Sequence, residues 1–155
     1  MPERFERIML PLDFSEHGDR AVEYAVWFAR MAGGTLHLVH VIANPADPMW
    51  EPQEVPSWDL VPHSEKKARA LLEATAQRCL PPDCRRECHV CQGDPHEKLI
   101  DVAKQINADL IVMSTHGRGG VAYLMLGSVA ERTVRHAPCP VFVVRRRRSS
   151  ARAKH

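Results

Sequence analysis

Short apolar runs and segments of helical periodicity alternate along almost the whole of this 155-residue chain. Most of the runs are rich in Val, Ile and Leu, which is typical of strands buried on both faces of a parallel sheet. The predicted strands occupy residues 8–12, 35–42, 85–91, 109–114 and 140–144. The alternation of strand and helix predicts an α/β fold: a single-domain three-layer sandwich in which a five-stranded parallel sheet carries helices on both faces.

Capping residues predict where most of the helices begin and end. Ser15 is a suitable N-cap for the first helix, and Gly33-Gly34 ends it. The segment Asp94-Pro95-His96-Glu97 supplies an N-cap, a proline at the first helical position and an acid at the third. Ser128 and Glu131 have the spacing of a capping box, so Ser128 is predicted to be the N-cap of the last helix.

The middle of the chain is less regular. Residues 43–62 are rich in proline and are predicted to form a long surface loop. The helix after it should begin at Ser64 and end at Pro81-Pro82. Residues 85–91 are predicted to form an edge strand. The residues expected on one face of the second helix are Ala68, Leu71, Leu72, Thr75 and Cys79.

The net charge of +2 hides an uneven distribution. Residues 145–155 carry six positive charges and no acid, which leaves 15 basic and 19 acidic side chains in the rest of the chain. The acidic body is not a nucleic-acid platform, and binding of nucleic acid through the tail is not expected. We predict one domain over residues 1–145 and a basic, disordered tail over residues 146–155.

Composition also bears on the compartment. The chain has no apolar stretch of about 18 residues, so no membrane span is expected. Its first residues are charged and lack the apolar core of a secretory signal. We therefore expect a cytoplasmic protein.

Four of the five cysteines crowd into residues 79–91. An odd number of cysteines without a secretion signal favours free thiols. Zinc binding by Cys84, Cys88 and Cys91 is the alternative, but Cys88 and Cys91 are three apart on a predicted strand and should face opposite sides. The nine histidines form no recognisable zinc-ligand motif, and no metal site or catalytic residue is predicted among the side chains.

A glycine-rich loop carries the chemistry that the sequence predicts. Residues 114–128 follow a strand and precede a helix, so backbone N–H groups and a helix N-terminus can surround phosphate groups. Arg118 and His116 can add positive charge, and Ser128 a hydroxyl. The loop and Asp13 leave strands at the carboxyl edge of the sheet, where such folds bind ligands.

The same loop resembles that of nucleotide-binding universal stress proteins. Their pattern is Gly-x2-Gly-x9-Gly-Ser, which Gly117, Gly127 and Ser128 match, while Ser114 stands at the first glycine position. The resemblance extends over residues 5–145. It includes the segments Pro11-Leu12-Asp13-Phe14-Ser15, Gly93-Asp94-Pro95 and His136-Ala137-Pro138-Cys139-Pro140.

The resemblance implies a doubly wound, Rossmann-like sheet in the order 3-2-1-4-5 and a bound adenine nucleotide. The nucleotide is ATP or another adenine nucleotide, with Mg²⁺ or Mn²⁺ on its phosphates. Asp13 would contact the ribose, and the remaining candidate residues would frame the adenine and hold the phosphates. The adenine residues are Pro11, Val41 and Met113, and the residues at the phosphates are Gly117, Gly127, Ser128 and Val129. Ser114, at the first glycine position, and Arg118, with its positive charge, are the other candidate cofactor-binding residues.

The family resemblance also implies a homodimer in which the last strands of the two chains, residues 140–144, pair in an antiparallel arrangement. An unpaired strand of this composition would be an aggregation hazard, which gives the pairing a physical reason.

Simpler roles remain open for the same residues: Asp13 as a turn residue, the glycines as a flexible loop, and Ser128 as a cap. The favoured hypothesis is a nucleotide-binding regulatory protein of the stress response with little or no catalysis. The alternatives are a slow ATPase, a nucleotide-independent dimeric interaction module, and a nucleic-acid binder acting through the tail.

Overall fold

The computed structural model describes residues 4–14, 19–43, 65–115 and 126–145. These residues form five strands and four helices in strict alternation. The strands are β1 (Arg7–Pro11), β2 (Thr35–Ile42), β3 (Arg86–Gln92), β4 (Leu110–Ser114) and β5 (Val141–Val144). The helices are α1 (Asp19–Ala32), α2 (Glu65–Cys79), α3 (Pro95–Gln105) and α4 (Ser128–His136).

All strands are parallel and lie in the order β3-β2-β1-β4-β5. This arrangement confirms the predicted fold class, and β3 lies at an edge as expected. The chain adds β2 and β3 on one side of β1, then crosses over to add β4 and β5 on the other. The side on which successive strands are added therefore reverses at β1 and β4, which makes the boundary between these two strands the switch point of the sheet.

Burial of β1 on both faces explains its apolar sequence. Ile8, Met9 and Leu10 are fully buried. Ile8 and Leu10 pack into an apolar cluster with α1 and α2, whereas Met9 belongs to a second cluster with α3 and α4. Because successive side chains of a strand point to opposite faces, a single run of apolar residues serves both layers.

The helix boundaries confirm part of the capping analysis. Asp94 is the N-cap of α3, and its Oδ1 accepts a hydrogen bond from the N–H of Glu97 at 3.0 Å. The predicted N-caps Ser15 and Ser64 lie outside the described residues. On α2 one prediction was wrong: Leu71 is exposed, and Ala76 takes its place on the buried face.

One carboxylate ties the amino ends of the two central strands together. Asp109, which precedes β4, accepts hydrogen bonds at its Oδ2 from the backbone N–H groups of Glu6 at 3.0 Å and Arg7 at 2.8 Å. The Arg7 side chain pairs with Asp109 at 3.3 Å and donates to the carbonyl of Asn107 at 2.8 Å. These bonds fix the level of β1 relative to β4.

The predicted loop at 43–62 and the basic tail at 146–155 lie almost entirely outside the described residues. Within the part of the chain that the structure describes, no helix is long and apolar enough to cross a membrane.

Candidate functional site

The carboxyl ends of β1 and β4 lie at the same edge of the sheet, at the switch point between the two strands. Met9 of β1 pairs with Ile111 of β4, so the register brings Pro11 level with Met113 two residues further on. Asp13 follows at the exit of β1, and Ser114 ends β4. A crevice at this switch point is where open parallel sheets bind ligands.

The turn after β1 is held by hydrogen bonds to β2. The N–H of Leu12 donates to the carbonyl of Val39 at 2.8 Å, and Nδ1 of the buried His40 donates to the carbonyl of Leu12 at 2.7 Å. A carbonyl oxygen only accepts, so this bond fixes the proton of His40 on Nδ1. These contacts hold the backbone on which Asp13 sits.

Phe14 completes this turn. Its backbone has a φ of 61°, in the left-handed region that a non-glycine residue rarely adopts, and its ring lies 4.4 Å from the ring of His40. Neither Phe14 nor His40 was predicted to have a role. The sequence signal for His40 is faint: it is one of two histidines in a strand that is otherwise mostly apolar.

Three of the predicted site residues share one apolar environment. Met113 is buried in the cluster between the sheet and α3 and α4, and Val41 and Val129 pack against it half-buried. Pro11 is also half-buried, at the end of β1. The side chains bring an apolar surface from β2, β4 and α4 to the same edge of the sheet.

Backbone hydrogen bonds tie the start of α4 to the end of β4. The N–H of Gly127 donates to the carbonyl of Thr115 at 2.8 Å, and the N–H of Thr115 donates to the carbonyl of Val144 at 3.1 Å. The N-cap of α4 is Gly127, not Ser128, and no side chain caps the helix. The predicted capping box was therefore wrong, because helical geometry begins one residue earlier than its spacing requires.

The missing cap leaves polar groups at the start of α4. The first intrahelical bond runs from the N–H of Glu131 to the carbonyl of Gly127 at 2.9 Å. Among the described residues, none accepts a hydrogen bond from the N–H groups of Ser128, Val129 or Ala130. Such N–H groups, with the positive end of the helix dipole, form an environment suited to an anion.

Ser114, which stands where the family pattern has glycine, fits the strand without strain. It pairs with Val144 at the end of β4, and the only described non-glycine residues with positive φ are Phe14 and Asn107. Serine therefore adds a hydroxyl at the site and demands no left-handed backbone. The predicted residues Gly117 and Arg118, like His116, lie outside the described residues.

The cysteines are free thiols, as predicted. Cys88 packs against the α1/α2 cluster and Cys91 against the α3/α4 cluster, which confirms that they face opposite sides. Burial raises the pKa of Cys88, and likewise that of Cys139, to about 11. Both thiols stay protonated at neutral pH and are poor nucleophiles.

A cavity of about 390 Å³ lies at the opposite, amino edge of the sheet. Its lining includes Arg7, Asn107 and Asp109. Their polar groups already bond to one another and to the backbone, as described above. These three residues are therefore committed to holding β1 against β4.

A contact between α3 and α4 joins the start of α3 to the second half of α4. His96 at the beginning of α3 is buried, and its ring lies 5.1 Å from the ring of His136 on α4. Asp94 pairs with Arg132 of α4 at 3.8 Å. Within the described chain, Nδ1 of His96 is buried without a hydrogen-bond partner.

Comparison with known proteins finds one family over nearly the whole chain. The model of the universal stress protein family matches residues 4–145. A universal stress protein of Thermus aquaticus is 37% identical over 143 residues, which cover 91% of this chain and 99% of that protein. The structure of universal stress protein UspA from Lactobacillus plantarum is 26% identical, with a TM-score of 0.74, and covers 92% of this chain and 99% of its own.

Two more distant structures contain a nucleotide. A universal stress protein in complex with cAMP is 20% identical, with a TM-score of 0.63 and coverage of 92% of this chain and 98% of its own. A universal stress protein from Archaeoglobus fulgidus in complex with dAMP is 19% identical, with a TM-score of 0.61 and coverage of 91% and 98%. At these identities the likeness shows the fold alone.

The α3–α4 contact predicts that acid destabilises the protein. Burial, together with the charge of Arg132 and of His136, lowers the pKa of His96 from its ordinary value of 6.5, against the smaller opposing effect of Asp94 and Glu97. As the pH falls below 6.5, the imidazole of His96 takes up a proton in the unfolded chain before it does so in the folded one. The free energy of unfolding therefore has its highest value, as far as His96 is concerned, above that pH and declines below it. Unfolding by urea at about pH 7.5 and about pH 5.5 measures the decline.

The variant His96→Leu should show a smaller difference between the two pH values than the parent chain. Part of the dependence will remain, because burial also lowers the pKa of His37 and His89. If the free energy of unfolding changed equally between the two pH values in the variant and in the parent chain, His96 would not contribute to the acid sensitivity.

Proposed function

This chain belongs to the universal stress protein family, and from that premise we propose that it is a cytoplasmic regulatory protein of the stress response that binds an adenine nucleotide at the carboxyl edge of its sheet. The nucleotide is ATP, with Mg²⁺ or Mn²⁺ on its phosphates. The protein holds the nucleotide and does not turn it over efficiently.

The observation that carries this proposal is the uncapped start of α4 beside the switch point. The N–H groups of Ser128, Val129 and Ala130 have no acceptor among the described residues, and a hydrogen bond anchors Gly127 to the end of β4. Phosphate oxygens can accept from such N–H groups and gain from the helix dipole. Gly127 has no Cβ, which lets a phosphate approach the backbone closely.

The neighbouring surfaces suit the rest of an adenine nucleotide. In the proposal, Val41 and Met113 offer an apolar wall to the base, with Pro11 beside them, and Asp13 accepts hydrogen bonds from the ribose hydroxyl groups. The solved relatives that contain cAMP and dAMP support an adenine nucleotide as the ligand class. Gly117 completes the phosphate contacts by the match to the family pattern, and Arg118 beside it adds positive charge.

The metal ion would be held mainly by the nucleotide. Mg²⁺ prefers oxygen ligands and retains several of its waters, so phosphate oxygens and water can supply most of its ligands. Ser128 fits this arrangement because it is exposed at the first position of α4 and its hydroxyl is not used as a cap. The ion would neutralise phosphate charge.

Slow or absent catalysis follows from the groups available near this site. Hydrolysis needs a base or a residue that orients water. Among the histidines that the structure describes, His40 lies beside the exit of β1, but it is buried and directs its Nδ1 to the carbonyl of Leu12. An ATPase remains the competing function, and it predicts phosphate release that Asp13→Ala abolishes.

We predict that calorimetric titration of nucleotide-stripped protein with ATP and Mg²⁺ shows saturable one-site binding, and that Asp13→Ala weakens it at least about tenfold. A hydrogen bond to a charged group is worth about 1.5–3 kcal/mol, which corresponds to a factor of ten or more. Gly127→Val should weaken binding similarly, because a side chain would stand where the phosphate approaches. The φ of Gly127 is −59°, so valine meets no left-handed backbone there.

The matched control is Asp101→Ala, which removes an exposed carboxylate on α3 that pairs with Lys98. It should bind ATP as the parent chain does. No heat from the folded parent protein at tens of micromolar would contradict the proposal and favour a nucleotide-independent interaction module. Equal affinity for GTP would contradict the role given to the adenine wall.

We further propose that the protein is a homodimer in which the β5 strands of two chains pair. In the single chain β5 is an edge strand, with Phe142 partly exposed beside Tyr24 and Phe28 at ring distances of 5.2 Å. Trp27 and Met31 of α1 extend this apolar surface and are 55% and 72% exposed. Pairing the strands would cover both the open edge and part of this surface.

Light scattering should give the mass of two 17.5 kDa chains for the parent protein. Phe142→Lys should give the mass of one, because a charge at the paired strand opposes its own copy. Leu71→Lys is the control: Leu71 is 38% exposed, close to the 36% of Phe142, but lies on α2. A parent protein of single-chain mass, or equal effects of the two variants, would contradict pairing through β5.

A further inference from the structure

Three potential metal ligands converge on β2 and β3, toward the amino ends of the two strands. His37 of β2 lies opposite Glu87 of β3 in the register of the sheet, and His89 follows Glu87 by two residues. Side chains two apart on a strand share a face, and in-register neighbours on paired strands are adjacent. All three side chains therefore lie on the sheet face that α3 and α4 cover further along.

The ligand atoms are separated by distances that suit a single ion. Nδ1 of His37 lies 3.0 Å from Nε2 of His89 and 3.6 Å from Oε2 of Glu87, and Nε2 of His89 lies 3.8 Å from the same oxygen. Ligand atoms around a tetrahedral Zn²⁺, with bonds of about 2.0–2.2 Å, lie about 3.3–3.6 Å apart. Movements of a few tenths of an ångström would thus bring all three atoms into coordination.

We propose that His37, Glu87 and His89 form a binding site for a divalent transition-metal ion, for which Zn²⁺ is the best fit. Two imidazoles and one carboxylate are a donor set that Zn²⁺ accepts, and they leave one position for water. The site lies outside the nucleotide region, because Val41 is four positions along β2 from His37, about 13 Å of strand.

The exposure of the three side chains increases from His37 through His89 to Glu87, an arrangement that suits the binding of an ion. The side chain of His37 is 7% exposed, that of His89 27% and that of Glu87 61%. The carboxylate thus opens the site to solvent, which gives an ion a path to the buried imidazole. The imidazole in turn has a fixed place in the packed sheet, so little freedom is lost when it binds.

Both histidines are in the protonation state that a metal requires. Burial is the main cause that lowers the pKa of His37 and of His89, and Glu87 opposes it. A metal ligand must be neutral imidazole, so no proton has to leave either ring at neutral pH. Without the ion, one of the two rings donates a hydrogen bond to the other. When the ion binds, the donor ring would carry its proton on its second nitrogen instead, which frees the first nitrogen for the metal.

Two cations near the site weigh against an ion, but each has partners. Arg7 lowers the pKa of His37, and Arg69 lowers that of His89. Arg7 is bound to Asp109 and to the carbonyl of Asn107. Arg69 pairs with Glu65 at 3.6 Å and donates to the carbonyl of Cys88 at 3.3 Å.

The test is a titration of untagged, metal-free, full-length protein with Zn²⁺ in competition with a chromophoric chelator. A phosphine reductant keeps the thiols free. The proposal expects one ion per chain, and a loss of affinity of at least about tenfold in His89→Gln and in Glu87→Gln, since removal of even an outer partner of a ligand costs about 10–100-fold. Glu87 is largely exposed, so its variant tests the site even where a change at a buried ring impairs folding.

Cys88→Ser is the matched control, because Cys88 stands between the two β3 ligands but faces the α1/α2 cluster. It should bind Zn²⁺ as the parent chain does. Co²⁺ bound in place of Zn²⁺ should give visible ligand-field bands without the near-ultraviolet band of a thiolate ligand. Equal affinity in all variants, a thiolate band, or no binding would overturn the proposal. Asp13→Ala should leave Zn²⁺ binding unchanged, which separates this outcome from the nucleotide test.

Discussion

The level of β1 against β4 is the constraint on which the rest of the molecule depends. β1 is the central strand and the winding of the sheet reverses between β1 and β4, so the relative height of these two strands decides how their carboxyl ends meet. Asp109 fixes that height at the amino edge through the N–H groups of Glu6 and Arg7. At the carboxyl edge, the hydrogen bond from the N–H of Gly127 to the carbonyl of Thr115 fixes the start of α4 relative to the end of β4.

Much of this fold could be predicted from the sequence because local signals and burial agree. The apolar runs of the inner strands and the Asp94 cap are local, and the structure has both. The capping box at Ser128 failed because two residues at the right spacing do not fix where a helix starts: the bond from Gly127 to Thr115 does. Asp13 and the start of α4 were placed at one edge by topology, whereas Gly117 and Arg118 stay predictions.

The histidines show what the sequence could not supply. His37 and Glu87 are fifty residues apart, and only the register of β2 on β3 makes them neighbours. Glu87 and His89, at a spacing of two on an edge strand, are a signal that could have been noticed, but they become a site only with a ligand from the adjoining strand. His40 likewise gains its role through the carbonyl of Leu12, a tertiary contact. On β2, His37 thus belongs to the metal proposal and Val41 to the nucleotide proposal.

The most direct test of the nucleotide site is to record amide NMR shifts of the isotope-labelled protein while ATP and Mg²⁺ are added. The account predicts the largest changes at the N–H groups of Ser128, Val129 and Ala130, together with those around Asp13 and Ser114. Changes centred instead on Arg7, Asn107 and Asp109 would place the ligand in the cavity at the amino edge of the sheet. That result, or a spectrum that ATP leaves unchanged, would contradict the claim that the uncapped helix start receives the phosphates.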